Sequence, residues 1–529
     1  MLGQAIAGNP SILILFGGSP SLRQFVWLAH VGLQCFATTR LASLERLVGF
    51  GPAEWSGGSR RGARGSRFTI DLKLDTSLII EDLMIRLLLA SAVVLGLCHS
   101  GPVTAEDWPQ FRGPSGSGST KGAALPTEWS ADKNLAWKVK LPGTGLSQPV
   151  VVGDTLFVTA AVSDNLSKPK SFGPGVIETG REKRPDVEID WQVVALDRTT
   201  GKTLWAKSAT KGKPKHPVHA CNSYATETPC ADEERVYAYF GATGTVAAFD
   251  HAGNEVWKVE LGAYPTVANW GTGSSPALGG GKVFVTSFTQ ESAFVVAVDV
   301  KTGKEAWRFK WGDMGVATSW SSPLVWANSK RTELAVCGPG WVSGLDLDTG
   351  DELWRLSGFQ PFSSSPTVDG DILYISNGGQ SSTGPLLGIR AGANGDITTK
   401  PDEKPSEFVA WDVTAGGAGW SSPLAHNGYL YVPGKGVFTC YDAKTGKEQY
   451  KERLPNLNRL IACPVGTGDQ VLVLNEDGST AIIKAGPKFE VVGSGKLDDN
   501  FWSSPAVSGG DIYLRGVEHL YCVRQATSK

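Results

Sequence analysis

The chain has no surplus of either charge. Its 50 Lys and Arg are balanced by 52 Asp and Glu, a net charge of −2 at neutral pH. Such a balance makes no basic field of the kind that gathers nucleic acid or an anionic membrane surface. Methionine is scarce, 3 in 529 residues, and no stretch has the apolar period of a long amphipathic helix. The apolar run Leu87–Leu97 is too short to cross a bilayer, which takes ~20 residues. There is no phosphate-cradling P-loop, no H-E-x-x-H and no G-x-S-x-G elbow in a strand–turn–helix setting. The haem-attachment signature C-x-x-C-H is absent, as is any pair of adjacent cysteines.

What the chain has in quantity is Gly (65), Pro (30) and Trp (18), a composition of turns and aromatic packing. One phrase recurs. Val296–Trp307 reads V-A-V-D-V-K-T-G-K-E-A-W, with Ala297, Asp299, Thr302, Gly303 and Trp307 as its markers. It returns at Ala195, Asp197, Thr200, Gly201, Trp205; at Ala248, Asp250, Gly253, Trp257; at Asp346, Thr349, Gly350, Trp354; and at Asp442, Thr445, Gly446, Tyr450. A spacing of about 40–50 residues is that of a propeller, solenoid or array. Asp accepts bonds from the N–H groups that follow it and so starts the turn. Gly takes the left-handed conformation that other residues adopt at a cost. The closing Trp is too large for one small sheet and is expected to pack on the neighbouring unit. The position two before the Asp is always small (Ala195, Ala248, Ala297, Gly344, Cys440), which calls for a close approach there.

The N-terminal 1–83 lacks the phrase and holds a Gly/Arg/Ser-rich run, Ser56–Arg67. At Met84 a new start appears: M-I-R, an apolar run, then V-T-A at 103–105. That is the pattern of a secretory signal. The expectation is that 1–83 is non-native or disordered, that 84–105 is a signal peptide, and that the mature chain begins at Glu106. The rival reading lipidates Cys98, although Leu97 is bulky where a lipidation motif needs a small residue. Residues 106–134 begin E-D-W-P-Q-F-R-G-P-S-G-S-G and read as an extended arm.

From 135 to 529 a second marker opens each unit, a small polar residue followed by Pro and an apolar strand. It occurs at Pro149, Pro229, Pro276, Pro323, Pro366, Pro423, Pro464 and Pro505, with some variation before the Pro. Each unit then reads as four short strands joined by tight turns. Eight four-stranded units repeated radially predict an all-β, eight-bladed β-propeller. The eighth unit stops one strand short. Leu135–Val139, which carries Trp137, precedes the first opening and is expected to supply the missing strand, closing the propeller and removing two sheet edges. Inserts at roughly 160–190 and 377–408 read as loops on this scaffold.

With these phrases in hand the chain resembles the pyrroloquinoline-quinone (PQQ) repeat superfamily of eight-bladed propellers over about 137–523, and the D-W-P-x-F-R-G start resembles theirs. The resemblance implies the fold and leaves two functions open. One branch is BamB-like, cofactor-free and a scaffold in outer-membrane protein assembly. The other is PQQ-dependent alcohol or sugar dehydrogenase, which implies Ca²⁺ held by acidic and amide groups, an Asp base and, in many members, two adjacent cysteines. No local stretch here matches that set.

Of the six cysteines after the signal, Cys337, Cys440, Cys463 and Cys522 read as packing residues. Cys221 and Cys230 lie nine positions apart in a polar stretch and can pair in an oxidising compartment. His216, His219, Cys221 and Cys230 are metal-binding types, but their spacing is not that of a zinc finger, and no metal is expected. His219, Asn222, Glu227, Asn269, Trp270, Trp320, Trp420, Asn458, Arg459, Asn500 and Trp502 fall just before inner strands, where loops converge on a central funnel. These Trp residues either pave the seams between blades or wall a funnel that takes a ligand or peptide. The reading that results is a secreted or periplasmic, non-enzymatic binding or scaffold module with a protein or peptide partner. It has no nucleic acid, no catalytic residue and no cofactor. Its alternative is the PQQ- and calcium-dependent dehydrogenase.

Overall fold

The computed structural model describes residues 107–526 apart from 172, 174–175, 313–316, 379–383, 401–403 and 418. The expected extension 1–83 and signal 84–105, with Cys98, lie outside the described residues. The fold is all-β. The helical pieces among the described residues are the single turns Val176–Thr179 and Val267–Asn269.

Eight sheets follow one another, each built on an open antiparallel stack of four strands from the inner to the outer edge, with one short parallel strand added to the fourth and two to the seventh. The third is representative: Ala277–Gly279, Lys282–Phe288, Ala293–Asp299 and Glu305–Lys310. Every inner strand starts at or just beyond one of the eight expected prolines. The last sheet orders as Ala506–Ser508, Asp511–Arg515, His519–Val523 and then Leu135–Lys140. The early strand pairs antiparallel with the last one, Trp137 opposite Cys522 and Val139 opposite Leu520. Among the described residues no sheet closes on itself; the blades are joined through side chains and through a few backbone bonds, such as Leu146 N to the Ala225 carbonyl and Trp320 N to the Phe362 carbonyl.

The Asp turns form as their chemistry dictates. Asp299 Oδ1 accepts both the backbone N–H and the hydroxyl of Thr302 at 2.8 Å. Gly303 follows at φ 69°. That glycine has a second reason to be there. A Cβ on it would lie 2.7 Å from the ring of Trp257, the closing Trp of the preceding blade. Gly201 meets Trp137, Gly253 meets Trp205, Gly350 meets Trp307 and Gly446 meets Trp411 in the same way. Each of these indoles donates its N–H to a carbonyl of the next blade: Trp137 to Arg198, Trp205 to His251, Trp257 to Val300, Trp307 to Leu347 and Trp411 to Ala443. The small residues lie directly across the strand pair from the bulky one, Ala195 from Trp205, Ala297 from Trp307 and Gly344 from Trp354.

Trp354 departs from the expected docking. Its N–H turns back to the buried carboxylate of Glu333 in its own blade, at 3.0 Å, and Trp326 takes over the bond to the next blade through the Gly370 carbonyl at 2.9 Å. An indole N–H that can reach a buried carboxylate oxygen is held by it. The insert expected at roughly 377–408 also differs. Strand Leu386–Arg390 lies within that range, which splits it into two loops, and Gly395–Asp396 pairs parallel with the outer strand Glu352–Phe359 of blade four.

Residues 107–134 run across the inner strands. Trp108 is fully buried and bridges Val151 of blade one. Gln110 accepts from Leu278 N of blade three. Arg112, 1% exposed, sends its guanidinium to the carbonyls of Pro366 and Pro423, in blades five and six, and of Ser117. Ser119–Thr120 and Glu128–Trp129 then flank blade seven as parallel edge strands.

The inner rim is tied by a repeated bond. The residue before each opening proline donates its backbone N–H to the side chain of its equivalent in the next blade: Gln148 to Thr228, Thr228 to Ser275, Ser275 to Ser322, Ser322 to Ser365, Ser365 to Ser422, Ser422 to Cys463 and Cys463 to Ser504, at 2.8–3.4 Å. Between blades eight and one the bonds are different. Gln148 Nε2 donates to the Pro505 carbonyl at 2.5 Å and Ser503 Oγ to that of Ser147 at 3.1 Å.

Trp137→Ala is expected to cost about 3–5 kcal/mol in urea unfolding, the range of a buried aromatic truncation, and to match Trp307→Ala. A loss within about 0.5 kcal/mol would mean that the strand only rests on the surface.

Candidate functional site

Two residues ahead of each inner-rim residue, every blade contributes one side chain to a common cavity. The eight are Leu146, Thr226, Gly273, Trp320, Ser363, Trp420, Ile461 and Trp502. Cys221, Asn222, Trp270 and Thr272 complete the wall around about 370 Å³. The residue before a proline is held extended. In an extended chain positions two apart share a side, so one offset repeated eight times makes a wall. The inner-rim bonds lie just beneath it, and the buried segment around Arg112 contacts the inner strands further along.

The wall is aromatic and uncharged. Trp320 turns its N–H out of the cavity to the Gly271 carbonyl at 2.8 Å. Trp502 turns its N–H to Glu476 Oε1 at 2.7 Å. Glu476 is 2% exposed, and its other oxygen accepts from Arg459 Nη1 at 3.0 Å. Arg459 also reaches Ser171 Oγ at 3.0 Å, in the long loop 163–188 of blade one, and Lys168 of that loop pairs with Glu518 of blade eight. The blade-one loop thus bonds blades seven and eight.

Behind the wall, His219 stacks on Trp270 with ring centroids 4.0 Å apart at 21°. Burial lowers its pKa. Glu227 takes the slot that is Ser in most other blades. Its Oε1 accepts from Gly241 N at 3.2 Å, and its carboxyl bonds Thr272. Burial raises its pKa, which favours the neutral acid.

Of the residues expected at a funnel, Asn222, Trp270, Trp320, Trp420 and Trp502 line the cavity. His219 and Glu227 are buried behind it, and Arg459 acts through Glu476. Asn269, at φ 59° in the Val267–Asn269 turn, is not in the wall, nor are the exposed Asn458 and Asn500. Leu146, Cys221, Thr226, Thr272, Gly273, Ser363 and Ile461 were not anticipated. The constant offset from the opening proline is the signal that finds five of them. Cys221 and Cys230 are both free and buried, so no disulfide joins them. Among the described residues, no three His, Cys, Asp or Glu side chains come together as a metal site would need.

The stacked His219 and the inter-blade His426, whose imidazole bonds Ser119 Oγ and the Gly468 carbonyl, both have pKa values lowered by burial. Both are therefore easier to protonate once the chain unfolds, where the imidazole pKa is about 6.5. Stability should be level above that pH, fall as the pH drops towards the lowered folded values, and level out below them. Urea midpoints measured between pH 8 and 5 check this, and the slope should shrink in the His219→Gln, His426→Gln double variant.

Comparison with known proteins follows the same lines. The family described as outer membrane protein assembly factor BamB matches residues 242–326, 291–391 and 393–485. The chain is 28% identical to 1-butanol dehydrogenase (quinone) of Thauera butanivorans over 273 residues, 44% of this chain and 40% of that protein. It is 22% identical to tetrathionate hydrolase of Acidithiobacillus ferrooxidans over 372 residues, 64% of this chain and 65% of that one. It thus spans less than two thirds of either curated relative. Among solved structures, the quinohemoprotein alcohol dehydrogenase of Comamonas testosteroni superposes with a TM-score of 0.56 at 14% identity, covering 80% of this chain and 81% of that one. That likeness is one of fold.

Proposed function

We propose that this chain, a propeller of the PQQ-repeat superfamily, is a non-enzymatic binding module that takes a protein or peptide partner in its aromatic cavity. The observation that carries the reading is the wall itself: four Trp, two aliphatic side chains and no ionisable group except the thiol of Cys221. Burial raises that thiol's pKa to about 11, so it is neutral at physiological pH. The reading places the chain in the periplasm or outside the cell, in a role resembling that of the BamB family, at outer-membrane protein assembly.

The dehydrogenase reading has one observation in its favour, the match to a quinone-dependent butanol dehydrogenase. The residues present do not fit its cofactor. Pyrroloquinoline quinone carries three carboxylates, and burying them needs cations or several donors. The wall holds no Lys, Arg or His. Arg459 is committed to Glu476, which also holds Trp502, and Glu227 bonds Thr272 and Gly241. A Ca²⁺ needs six to eight oxygen ligands including carboxylates, and the wall supplies no carboxylate.

Purified chain mixed with the quinone and Ca²⁺ is expected to keep no chromophore through gel filtration and to reduce no dye with alcohols or sugars. Turnover would move the chain to the enzymes.

The M-I-R start, apolar run and V-T-A at 84–105 motivate a test of location. Protein recovered from the producing cell is expected to begin at Glu106 by mass spectrometry and to carry no lipid. An acylated Cys98, or peptides from 1–83, would overturn this.

A further inference from the structure

We infer that the cavity admits an uncharged aromatic or branched aliphatic group, held by ring contact and dispersion with almost no hydrogen bonding. The inference rests on the reading of the cavity as the binding site and names what enters it. The polar side-chain atoms of Asn222, Thr226, Thr272, Cys221, Trp320 and Trp502 are already engaged within the protein. Asn222 gives its amide N–H groups to the carbonyls of Trp270 and Thr272 at 2.6 and 3.2 Å. Its oxygen accepts from Ser223 N at 2.7 Å and Thr226 Oγ1 at 2.5 Å. An amide has two donors and one oxygen with two lone pairs, so Asn222 is saturated. Thr272 bonds Glu227, Cys221 donates to the Ser171 carbonyl at 3.8 Å, and the N–H groups of Trp320 and Trp502 point outward.

A sugar brings hydroxyls that would be stripped of water and left without partners, at about 1–3 kcal/mol each. A cation is drawn to indole faces, but the carboxylates nearest this wall are taken, Glu476 by Arg459 and Trp502, and Glu227 by Thr272 and Gly241. An apolar ring loses nothing by entering. An apolar cavity of 150 Å³ holds benzene, so about 370 Å³ has room for a two-ring group.

The test is calorimetric titration of the full chain with indole, with a capped pentapeptide carrying one central tryptophan, with glucose and with tetramethylammonium. Saturable binding of indole or of the peptide is expected, with a negative heat-capacity change, the mark of apolar burial. Whichever of the two binds more tightly identifies a free ring or a partner's side chain as the source. Glucose and tetramethylammonium should give no saturable heat. Ser363→Trp puts an indole where blades four, six and eight already carry one, and should weaken binding at least tenfold while leaving the urea midpoint in place. Ile461→Trp is the second filling variant should the first not fold. Binding of glucose or tetramethylammonium ahead of indole and the peptide, no binding of either apolar probe, or affinity untouched by both filling variants would overturn the inference. Dye reduction with the quinone would instead overturn the functional reading, so the two failures are told apart.

Discussion

Everything at the axis depends on the bond made by the residue before each opening proline. Proline has no N–H and holds its predecessor extended, so the last backbone donor at the top of each inner strand belongs to that predecessor. It is buried, and a buried N–H needs a partner. The partner is a hydroxyl, or in one case the Cys463 thiol, on the next blade. Each blade therefore completes its neighbour, and a small side chain with an acceptor is required at every such position. Gln148, longer than Ser, is the exception at the junction of blades eight and one. Its amide reaches the Pro505 carbonyl and also accepts from Arg112 N at 2.7 Å.

A second set of contacts ties the outer part of the blades. A turn glycine leaves its upper face bare, and the preceding blade's tryptophan fills the space with its ring and bonds a carbonyl with its N–H. At the five junctions that carry this glycine–tryptophan contact the two sets work at different radii, so the blade is held at both ends of its wedge. Blade four keeps its own Trp354 for Glu333, and Trp326 bonds blade five in its place. The contact moves from the outermost strand of the blade to the innermost without being lost.

The cavity follows from the inner set. Because the inner-rim residues must be small, the positions two before them, on the same side of the extended chain, reach the cavity and are free to vary. They hold Leu, Thr, Gly, Trp, Ser, Trp, Ile and Trp in turn. Variation there changes what the cavity accepts without touching the bonds that hold the blades together. The other end of the axis is filled by the segment around Arg112, whose guanidinium meets carbonyls of two blades.

The repeat phrase, the eight prolines and the spare strand at Leu135 were legible because each is a local rule: a turn needs Asp and Gly, an inner strand needs its start, and a sheet of three strands lacks one. Tryptophan at the cavity was legible for the same reason, Trp320, Trp420 and Trp502 each standing three positions before an opening proline. The path of residues 107–134 was not, since a polar, Gly-rich sequence looks the same lying on a surface or buried with its carbonyl partners supplied by other blades. Nor was the role of Glu476, 17 residues from Arg459 and 26 from Trp502. Nor was the saturation of Asn222, whose partners Trp270 and Thr272 are about 50 residues away. A sequence states which groups want hydrogen bonds. Which of them are left over for a ligand is a matter of distance between blades, and only the tertiary structure decides that.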